Sequence, residues 1–204
     1  RAGNVERATG DRERAAASER RTVRQIVRSA GEVDRRPRGH VERAGAGSAA
    51  PLTFTNITAQ AGLAFRHTIG DAALSSLVEA TGGGCAFLDY DNDGRLDIFL
   101  VNGVHLPGLS DPQTPNAEAL KAATSRLFRN RGDGTFADVT QPAGILPGGY
   151  GIGVVVGDYD NDGDPDIYQT CYGSNRLYRN NGNGTFTEVA HEAGVDDPRF
   201  SVGA

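Results

Sequence analysis

The chain has 204 residues, 38% of them hydrophobic and 23% charged, which is the composition of an ordinary soluble globular protein. No apolar run approaches the roughly 18 residues that a membrane-spanning helix requires, so no transmembrane segment is expected. Two cysteines in a chain of this length exclude a disulfide framework, and Cys85 and Cys171 are predicted to be small buried hydrophobic side chains.

The charge of the chain is unevenly distributed. The formal net charge is −5, yet residues 1–50 hold twelve arginines, no lysine and seven acidic residues. This segment contains few aromatic or branched apolar side chains with which to form a core, so it is predicted to be a disordered leader. An Arg-rich tract is also compatible with binding to nucleic acid or an anionic membrane, but the interspersed acids favour a solvated segment without a nucleic-acid partner.

The rest of the chain contains an internal repeat with a period near fifty residues. Residues 151–195 align with 82–103 and then with 125–145, once an insertion at 104–123 is set aside. A repeat of this length that is composed of short strands is typical of β-propeller blades or another stacked β array.

Partial copies of the repeat flank the two full ones. The sequence FTNITAQAGL at 54–63 matches FADVTQPAGI and FTEVAHEAGV, while FSVGA at 200–204 matches YGIGV at 150–154. Residues 51–80 are therefore predicted to supply the outermost strand of a neighbouring blade and a linker. Residues 200–204 are predicted to begin a third blade.

Strand signals within the second full copy define the expected fold. Four strands are predicted, at about 151–157, 167–172, 175–180 and 185–190. The turn sequences YGSN and NNGNG separate them. The sequence thus predicts an all-β fold, a partial β-propeller of four-stranded antiparallel blades, with a first blade at 81–149 and a second at 150–199. The insertion contains PNAEALKAA, which predicts a short helix capped by Asn116.

Two acidic loops interrupt these apolar blades, DYDNDGRLD at 89–97 and DYDNDGDPD at 158–166. Aspartate at positions 1, 3, 5 and 9, with glycine at position 6 for the tight turn, is the spacing by which a short loop surrounds a hard cation with oxygen ligands. The main-chain carbonyl at position 7 is a further ligand. The predicted ligands are Asp89, Asp91, Asp93, Arg95 and Asp97 in the first loop, and Asp158, Asp160, Asp162, Asp164 and Asp166 in the second.

Calcium is the predicted ion, because it accepts six to eight oxygen ligands in flexible geometry, whereas magnesium demands a strict octahedron. An EF-hand needs glutamate at position 12, where the two copies have Leu100 and Gln169, and it needs flanking helices where these copies have strand-like runs. A merely solvated acidic loop would not explain five matching positions in both copies. The loops are therefore predicted to be calcium-binding connections between strands.

The pattern FLDYDNDGRLDIFLVNG, followed by NRLYRNNGNGTFTEV, resembles the FG-GAP or VCBS repeats of integrin-alpha-like β-propellers. The opening LTFTNITAQAGLAFRHT joined to these blades resembles more narrowly the bacterial and cartilage acidic proteins that carry an ASPIC/UnbV domain. The resemblance covers about residues 52–204. It implies a secreted, periplasmic or cell-surface propeller of seven blades, with calcium between the first two strands of several blades.

Two classes of function are compatible with the sequence. The first is a calcium-stabilised binding or adhesion module for a protein or a glycan, and the second is a hydrolase or lyase on a propeller scaffold. The binding module is favoured, because the repeated residues explain the architecture and the calcium loops while none of them assembles a nucleophile and a base. The insertion at 104–123 is the candidate for specificity under either alternative.

Other motifs are interpreted through the repeat. The tripeptide RGD at 131–133 aligns with NGN at 181–183, which indicates a hairpin turn and not an integrin-recognition sequence. His191 aligns with different residues in the other copies and is predicted to be exposed. His67 and His105 lie outside the repeat pattern, so they are candidates for a functional role in loops.

Overall fold

The computed structural model of the protein describes residues 53–71, 74–121 and 123–203, and the predicted leader at 1–50 lies outside them. The chain divides into two compact units, Arg1–Asn56 and Ile57–Ala204, and all of the described strands belong to the second. Among the described residues, no helix is both long enough and apolar enough to cross a membrane.

The second unit contains two four-stranded antiparallel sheets, each with its strands in chain order. The first sheet consists of β1 (Cys85–Leu88), β2 (Asp97–Leu100), β3 (Arg126–Asn130) and β4 (Phe136–Asp138). The second consists of β5 (Tyr150–Gly157), β6 (Asp166–Tyr172), β7 (Arg176–Asn180) and β8 (Phe186–Glu188). The prediction of an all-β fold with four-stranded antiparallel blades is confirmed, and the two sheets are consistent with part of a β-propeller.

The two blades share one strand register as well as one strand order. Ile98 on β2 pairs with Phe128 on β3, and the equivalent Ile167 on β6 pairs with Tyr178 on β7. Strand β5 is longer than β1 and contains an irregularity after Gly151. The repeat in the sequence is therefore also a repeat in backbone hydrogen bonding.

A hydrophobic core fills the space between the two blades. Its buried members are Leu88, Tyr90, Phe99, Val101, Leu127, Ala143, Ile145, Ile167, Tyr178 and Phe186. Within it, the rings of Tyr90 and Phe186 stack with centroids 6.1 Å apart, and those of Phe99 and Tyr178 lie 6.5 Å apart. Each of these ring pairs joins the first blade to the second, so the blades stabilise each other through their facing surfaces.

Polar contacts also join the blades. The backbone N–H of Gly84 donates to the carbonyl of Ile152 at 2.9 Å. Deeper in the interface, the N–H of Asn102 donates to the hydroxyl of Ser125 at 3.2 Å. That hydroxyl donates in turn to Oε1 of Gln169 at 3.0 Å, and the glutamine is fully buried. Residue 169, position 12 of the second acidic loop, is thus an interblade hydrogen-bonding residue and not a loop ligand.

The described part of the upstream partial copy contains a turn. Its role as the outermost strand of a neighbouring blade stays a prediction, because that blade is not among the two described sheets. Residues 58–62 are a hydrogen-bonded turn, and no strand occurs among residues 53–71. The carbonyl of Ala61 accepts a hydrogen bond from the N–H of Phe136 at 2.8 Å, as the carbonyl of Ala143 does from Phe186. The segment that these copies share therefore forms a connector, which contacts the following blade through this backbone hydrogen bond.

The insertion in the first blade contains a short helix, α1 (Ala117–Lys121), as predicted. Asn116 precedes it with φ +61°, and its carbonyl accepts a hydrogen bond from the N–H of Leu120 at 3.1 Å. None of the side chains of α1 is buried. A single 3-10 turn, Val78–Ala80, lies before β1.

The prediction for the cysteines holds for one of the two. Cys171 on β6 is fully buried, as expected of a small hydrophobic side chain. Cys85 is exposed, so the prediction of burial was wrong there. Successive side chains of β1 alternate between its two faces, so Cys85 lies on the same face as the exposed Phe87, whereas Leu88 faces the core.

Candidate metal centre

The first acidic loop connects β1 to β2 and is closed by its own first aspartate. Asp89 accepts the N–H of Asp93 on Oδ1 at 3.0 Å and the N–H of Gly94 on Oδ2 at 2.9 Å. Gly94 has φ +85°, a left-handed conformation that disfavours other residues and allows the loop to turn back. These contacts turn the segment back on itself between β1 and β2.

The last aspartate of the first loop fixes the loop to the neighbouring strand. Asp97 is fully buried, and its two oxygens accept the N–H of Tyr90 at 3.1 Å and the N–H of Asn130 at 2.7 Å. Burial raises the pKa of Asp97 to about 6, although the two backbone donors act in the opposite direction. The ionised form of Asp97 has lost hydration through burial, so a bound cation would stabilise that ionised form.

The second acidic loop, between β5 and β6, repeats this geometry. Asp158 accepts the N–H of Asp162 at 3.1 Å. Asp166 accepts the N–H of Tyr159 at 2.9 Å and that of Asn180 at 2.8 Å. Burial again raises the pKa of Asp166. The same residue types at the same spacing thus produce the same hydrogen bonds in both blades.

Three carboxylates converge in each loop. Among the described residues, the groups whose ligand atoms lie within 4.8 Å of one another are Asp89, Asp91 and Asp97 in the first loop and Asp158, Asp160 and Asp166 in the second. These are positions 1, 3 and 9 of the predicted ligand pattern. Position 5 (Asp93 and Asp162) is not a member of either group, and the main-chain carbonyls of Arg95 and Asp164 stay predicted ligands.

One carboxylate oxygen in the first loop is buried without a partner. Oδ1 of Asp91 has no hydrogen-bond donor among the described residues, while Oδ2 lies 2.8 Å from Nε of Arg129. Burial raises the pKa of Asp91, and the charge of Asp93 raises it further. An unpaired buried carboxylate oxygen is costly, so this position fits a ligand of a cation.

Arginines already supply part of the positive charge at the first loop. Arg129 on β3 lies 3.7 Å from Oδ2 of Asp93 in addition to its contact with Asp91. Arg95 forms an ion pair with the same oxygen of Asp93. The carboxylate at position 5 of the first loop therefore contacts two guanidinium groups. The sequence analysis did not identify Arg129, although the repeated Arg-Asn pair in FRNRG and YRNNG was a visible signal.

Asparagine side chains connect the loops to the rest of the blades. Nδ2 of Asn180 donates across the interface to the carbonyl of Tyr90 at 2.9 Å. Asn92, at position 4 of the first loop, donates to the side chain of Asp164 in the second. The two acidic loops are therefore neighbours at one end of the paired blades.

The RGD tripeptide occupies a turn that has an equivalent in the second blade. The RGD tripeptide forms the β3–β4 hairpin turn, in which Oδ1 of Asp133 accepts the N–H of Thr135 at 2.9 Å. Asn183 accepts the N–H of Thr185 at 3.1 Å in the equivalent turn of the second blade. The tripeptide therefore satisfies a turn requirement that both blades share.

The histidines differ in their surroundings. His191 is exposed, and its Nδ1 lies 3.0 Å from a carboxylate oxygen of Asp196. His105 is buried, with Nδ1 3.1 Å from the carbonyl oxygen of Gly70. His67 is exposed and borders a cavity beside the insertion.

Comparison with known families identifies an FG-GAP-like repeat at residues 117–169. This match begins at α1, includes β3 and β4 of the first blade, and ends in β6 after the second acidic loop. The match supports the presence of an FG-GAP-like repeat that spans parts of both blades. No curated protein matches the chain.

Proposed function

We propose that the protein is a calcium-binding β-propeller module that works outside the cytoplasm and binds a protein or a glycan. The observation that carries the calcium proposal is the buried, unpartnered Oδ1 of Asp91 within a group of three converging carboxylates. Only oxygen atoms are offered by these side chains, which is the ligand preference of calcium. The FG-GAP-like repeat supports the role as a binding module.

The carboxylates of the first loop can bind an ion and keep their existing hydrogen bonds. Each carboxylate oxygen has two lone-pair directions, so Asp97 can retain the N–H groups of Tyr90 and Asn130 and still contribute to a cation. Asp89 and Asp91 would complete the side-chain ligands of the first loop. A bound cation would cancel the repulsion among the three carboxylates and hold the β1–β2 loop against β3.

In this proposal, calcium stabilises the blades and the partner binds elsewhere. Asp97 and Asp166 are buried, and their contacts are made with the backbone of their own blade. Calcium modules outside cells commonly bind the ion at about 10⁻⁴–10⁻³ M, so a site of modest affinity suits a secreted, periplasmic or cell-surface protein. The narrower similarity to ASPIC/UnbV proteins belongs to the same proposal and is supported by the opening segment LTFTNITAQAGLAFRHT.

The alternative of a hydrolase or lyase on this scaffold stays a prediction. A base that is positioned by a carboxylate inside a cleft would favour it. Nδ1 of His105 contacts a carbonyl oxygen instead, and the exposed His191 pairs with Asp196 on the surface.

Calcium binding is tested by titration calorimetry and thermal melting of the full chain. Two equivalent loops predict a stoichiometry of two and a melting temperature that rises with calcium and falls again with chelator. At a calcium concentration of 100 times the Kd, each site adds about 2.7 kcal/mol of stability, which corresponds to roughly 5–10 °C for a chain of this size. Asp91→Asn or Asp160→Asn alone is expected to lower the stoichiometry to one.

Asp133→Asn is the matched control for these variants. Asp133 is an exposed carboxylate outside the acidic loops, and asparagine already occupies the equivalent position 183. This variant should retain both sites. A folded chain whose melting temperature is the same in calcium and in chelator would contradict the calcium proposal.

A further inference from the structure

One buried side chain joins the two acidic loops. Asn180 is the last residue of β7 and is 1% exposed. Its Nδ2 donates to the carbonyl oxygen of Tyr90 in the first loop at 2.9 Å and to that of Pro165 in the second loop at 3.2 Å. A side-chain amide has two N–H groups, so Asn180 uses one for each loop.

Both of these carbonyl groups come directly before a predicted ligand. The carbonyl of Tyr90 belongs to the peptide group that leads into Asp91, position 3 of the first loop. The carbonyl of Pro165 belongs to the peptide group that leads into Asp166, position 9 of the second loop. Because a peptide group is planar, a hydrogen bond to its oxygen also fixes the direction in which the next residue begins. Asn180 therefore orients one ligand residue in each loop.

The same contacts extend to the buried aspartates that end the loops. The N–H of Asn180 donates to Oδ1 of Asp166 at 2.8 Å, and the N–H of Tyr90 donates to Oδ2 of Asp97 at 3.1 Å. Asp97 and Asp166 each belong to the group of three converging carboxylates in their own loop. A continuous series of hydrogen bonds thus connects the two groups of carboxylates through Tyr90 and Asn180.

A second side-chain contact joins the loops at the surface. Asn92, at position 4 of the first loop, is exposed and donates to the carboxylate of Asp164, at position 7 of the second. Asn92 has φ +57°, and the equivalent Asn161 has φ +59°. The two blades therefore share this backbone conformation, but among the described residues only the first loop uses its asparagine to contact the other loop.

We propose that the two acidic loops bind calcium cooperatively, with Asn180 as the main coupling residue and Asn92 as a second contact. When the first loop is ordered by an ion, the carbonyl of Tyr90 and the amide of Asn180 are fixed as well, and Asp166 is held in place. Binding at the second loop then costs less conformational entropy. The inference rests on the proposed function as a calcium-binding module and describes how its two sites influence each other.

The charges of the two ions act in the opposite direction. An ion in one loop lowers the attraction of the other loop for a second cation. At 0.15 M salt, exposed charges that lie more than about 8 Å apart are largely screened, whereas a buried hydrogen bond is not. We therefore expect the hydrogen bonds of Asn180 to set the sign, so that the coupling is positive at this ionic strength.

The test is calorimetric titration of the full chain with calcium in 0.15 M NaCl. Asp91→Asn leaves only the second site, and Asp160→Asn leaves only the first. The overall binding constant for two ions in the unchanged chain, divided by the product of the two single-site constants, is the coupling factor. A factor of about five or more is expected, at the lower end of the usual range. Repeating all three titrations with Asn180→Ala should lower the factor to about one.

Asn130→Ala is the matched control. Asn130 is the equivalent residue of the first blade, where Nδ2 donates to the carbonyl of Leu96 at 3.0 Å and the N–H donates to Asp97 at 2.7 Å. Among the described residues, its side chain makes no contact with the second loop. Asn130→Ala therefore removes the same kind of contact within one blade and should leave the coupling factor unchanged.

A second pair of variants tests the coupling if Asn180→Ala does not fold. Asn92→Gly removes the exposed contact with Asp164, and glycine adopts the positive φ of this position readily. It should lower the coupling factor. Asn161→Gly makes the same change in the second loop and should leave the factor as it is.

A coupling factor of about one in the unchanged chain would overturn this inference alone, provided that both sites bind calcium. An equal decrease of the factor in Asn180→Ala and Asn130→Ala would also overturn it, because the cross-loop contact would then have no specific effect. A folded chain that binds no calcium would overturn the proposed function and this inference together.

Discussion

At the scale of single residues, Arg129 places a positive charge against the acidic loop of the first blade. Its Nε lies 2.8 Å from Asp91, and a second nitrogen lies 3.7 Å from Asp93. In the second blade the equivalent residue is Arg179, for which the described residues include no ion pair with the acidic loop. The two loops share a pattern of aspartates but differ in the cation that the protein itself supplies.

This difference leads to a prediction about calcium. Arg129→Gln removes a competing positive charge, so the chain should be less stable in chelator and should gain more from calcium than the unchanged chain does. The change in melting temperature between chelator and saturating calcium measures this gain. An exposed ion pair is worth up to about 1 kcal/mol, so the effect should be a few degrees at most.

Arg179→Gln is the internal comparison, and it should leave the calcium-dependent gain nearly unchanged. If both substitutions increase the gain equally, the contact of Arg129 with Asp91 has no specific effect on the first loop. If Arg129→Gln abolishes the response to calcium, Arg129 supports the ion and does not compete with it.

The aspartates of the loops were predictable and their partners were not. The spacing of Asp89, Asp91 and Asp97 is local, and their ligand atoms lie within 4.8 Å of one another. Their role as metal ligands stays a prediction. The contacts of Arg129 and Asn180 with the first loop cross 38 and 90 positions of the chain, respectively. Such contacts depend on strand pairing and blade packing, which no local pattern specifies.

At the scale of elements, strand β5 contains a glycine whose missing side chain makes room for the neighbouring blade. A Cβ at Gly151 would lie 2.5 Å from Nε2 of Gln169 and 2.5 Å from Cγ1 of Val101. Both neighbours are fully or almost fully buried, and Oε1 of Gln169 is held by Ser125. The close approach of the first blade to β5 therefore requires glycine at this position.

Gly151→Ala is expected to destabilise the fold by about 1–3 kcal/mol, the usual cost of adding a methyl group to a packed core. Urea unfolding monitored by tyrosine fluorescence measures the loss. Gly157→Ala, at the end of the same strand, is the control, because a Cβ there meets no atom within 4 Å. Equal stability of the two variants would show that the blades adjust to the extra methyl group without cost.

Strand positions were predicted well because each blade obeys local rules. The β-branched and aromatic runs and the Asn-Gly turns set the strands of the second blade to within one or two residues of their observed bounds. The upstream copy at 54–63 was the exception. The matching segments of the two full copies begin with the last strand of a blade, which pairs with the strand before it. No such partner strand precedes β1 in the described chain, and only the turn at 58–62 is formed.

At the scale of the whole molecule, the two cysteines differ in how deeply they are buried. Cys85 is exposed, whereas Cys171 is fully buried in the second blade. Burial raises the pKa of the Cys171 thiol, which lowers the fraction of reactive thiolate at neutral pH in addition to blocking access. The native chain should therefore contain one reactive and one protected thiol.

Alkylation of the native chain at pH 8 should modify Cys85 promptly and Cys171 only as fast as the protein opens. If opening is global, reclosing is fast and both loops bind calcium, calcium at 100 times the Kd should slow the modification of Cys171 about 10⁴-fold, which is about 100-fold for each site. Mass spectrometry of tryptic peptides over time separates the two rates, and Cys85 serves as the control whose rate should not respond to calcium. Prompt modification of Cys171 would show that the second blade opens locally.

The sequence by itself determined the blade repeat, the strand order within a blade, the hairpin turns and the two acidic loops. All of these depend on residues close together in the chain, whose hydrophobic pattern and turn chemistry act locally. Only the tertiary structure decided that Gln169 joins the blades, that Arg129 faces the first loop, and that the insertion encloses a cavity with segment 64–71. These features arise where strands and loops distant in sequence pack together, because only packing determines which side chains become neighbours.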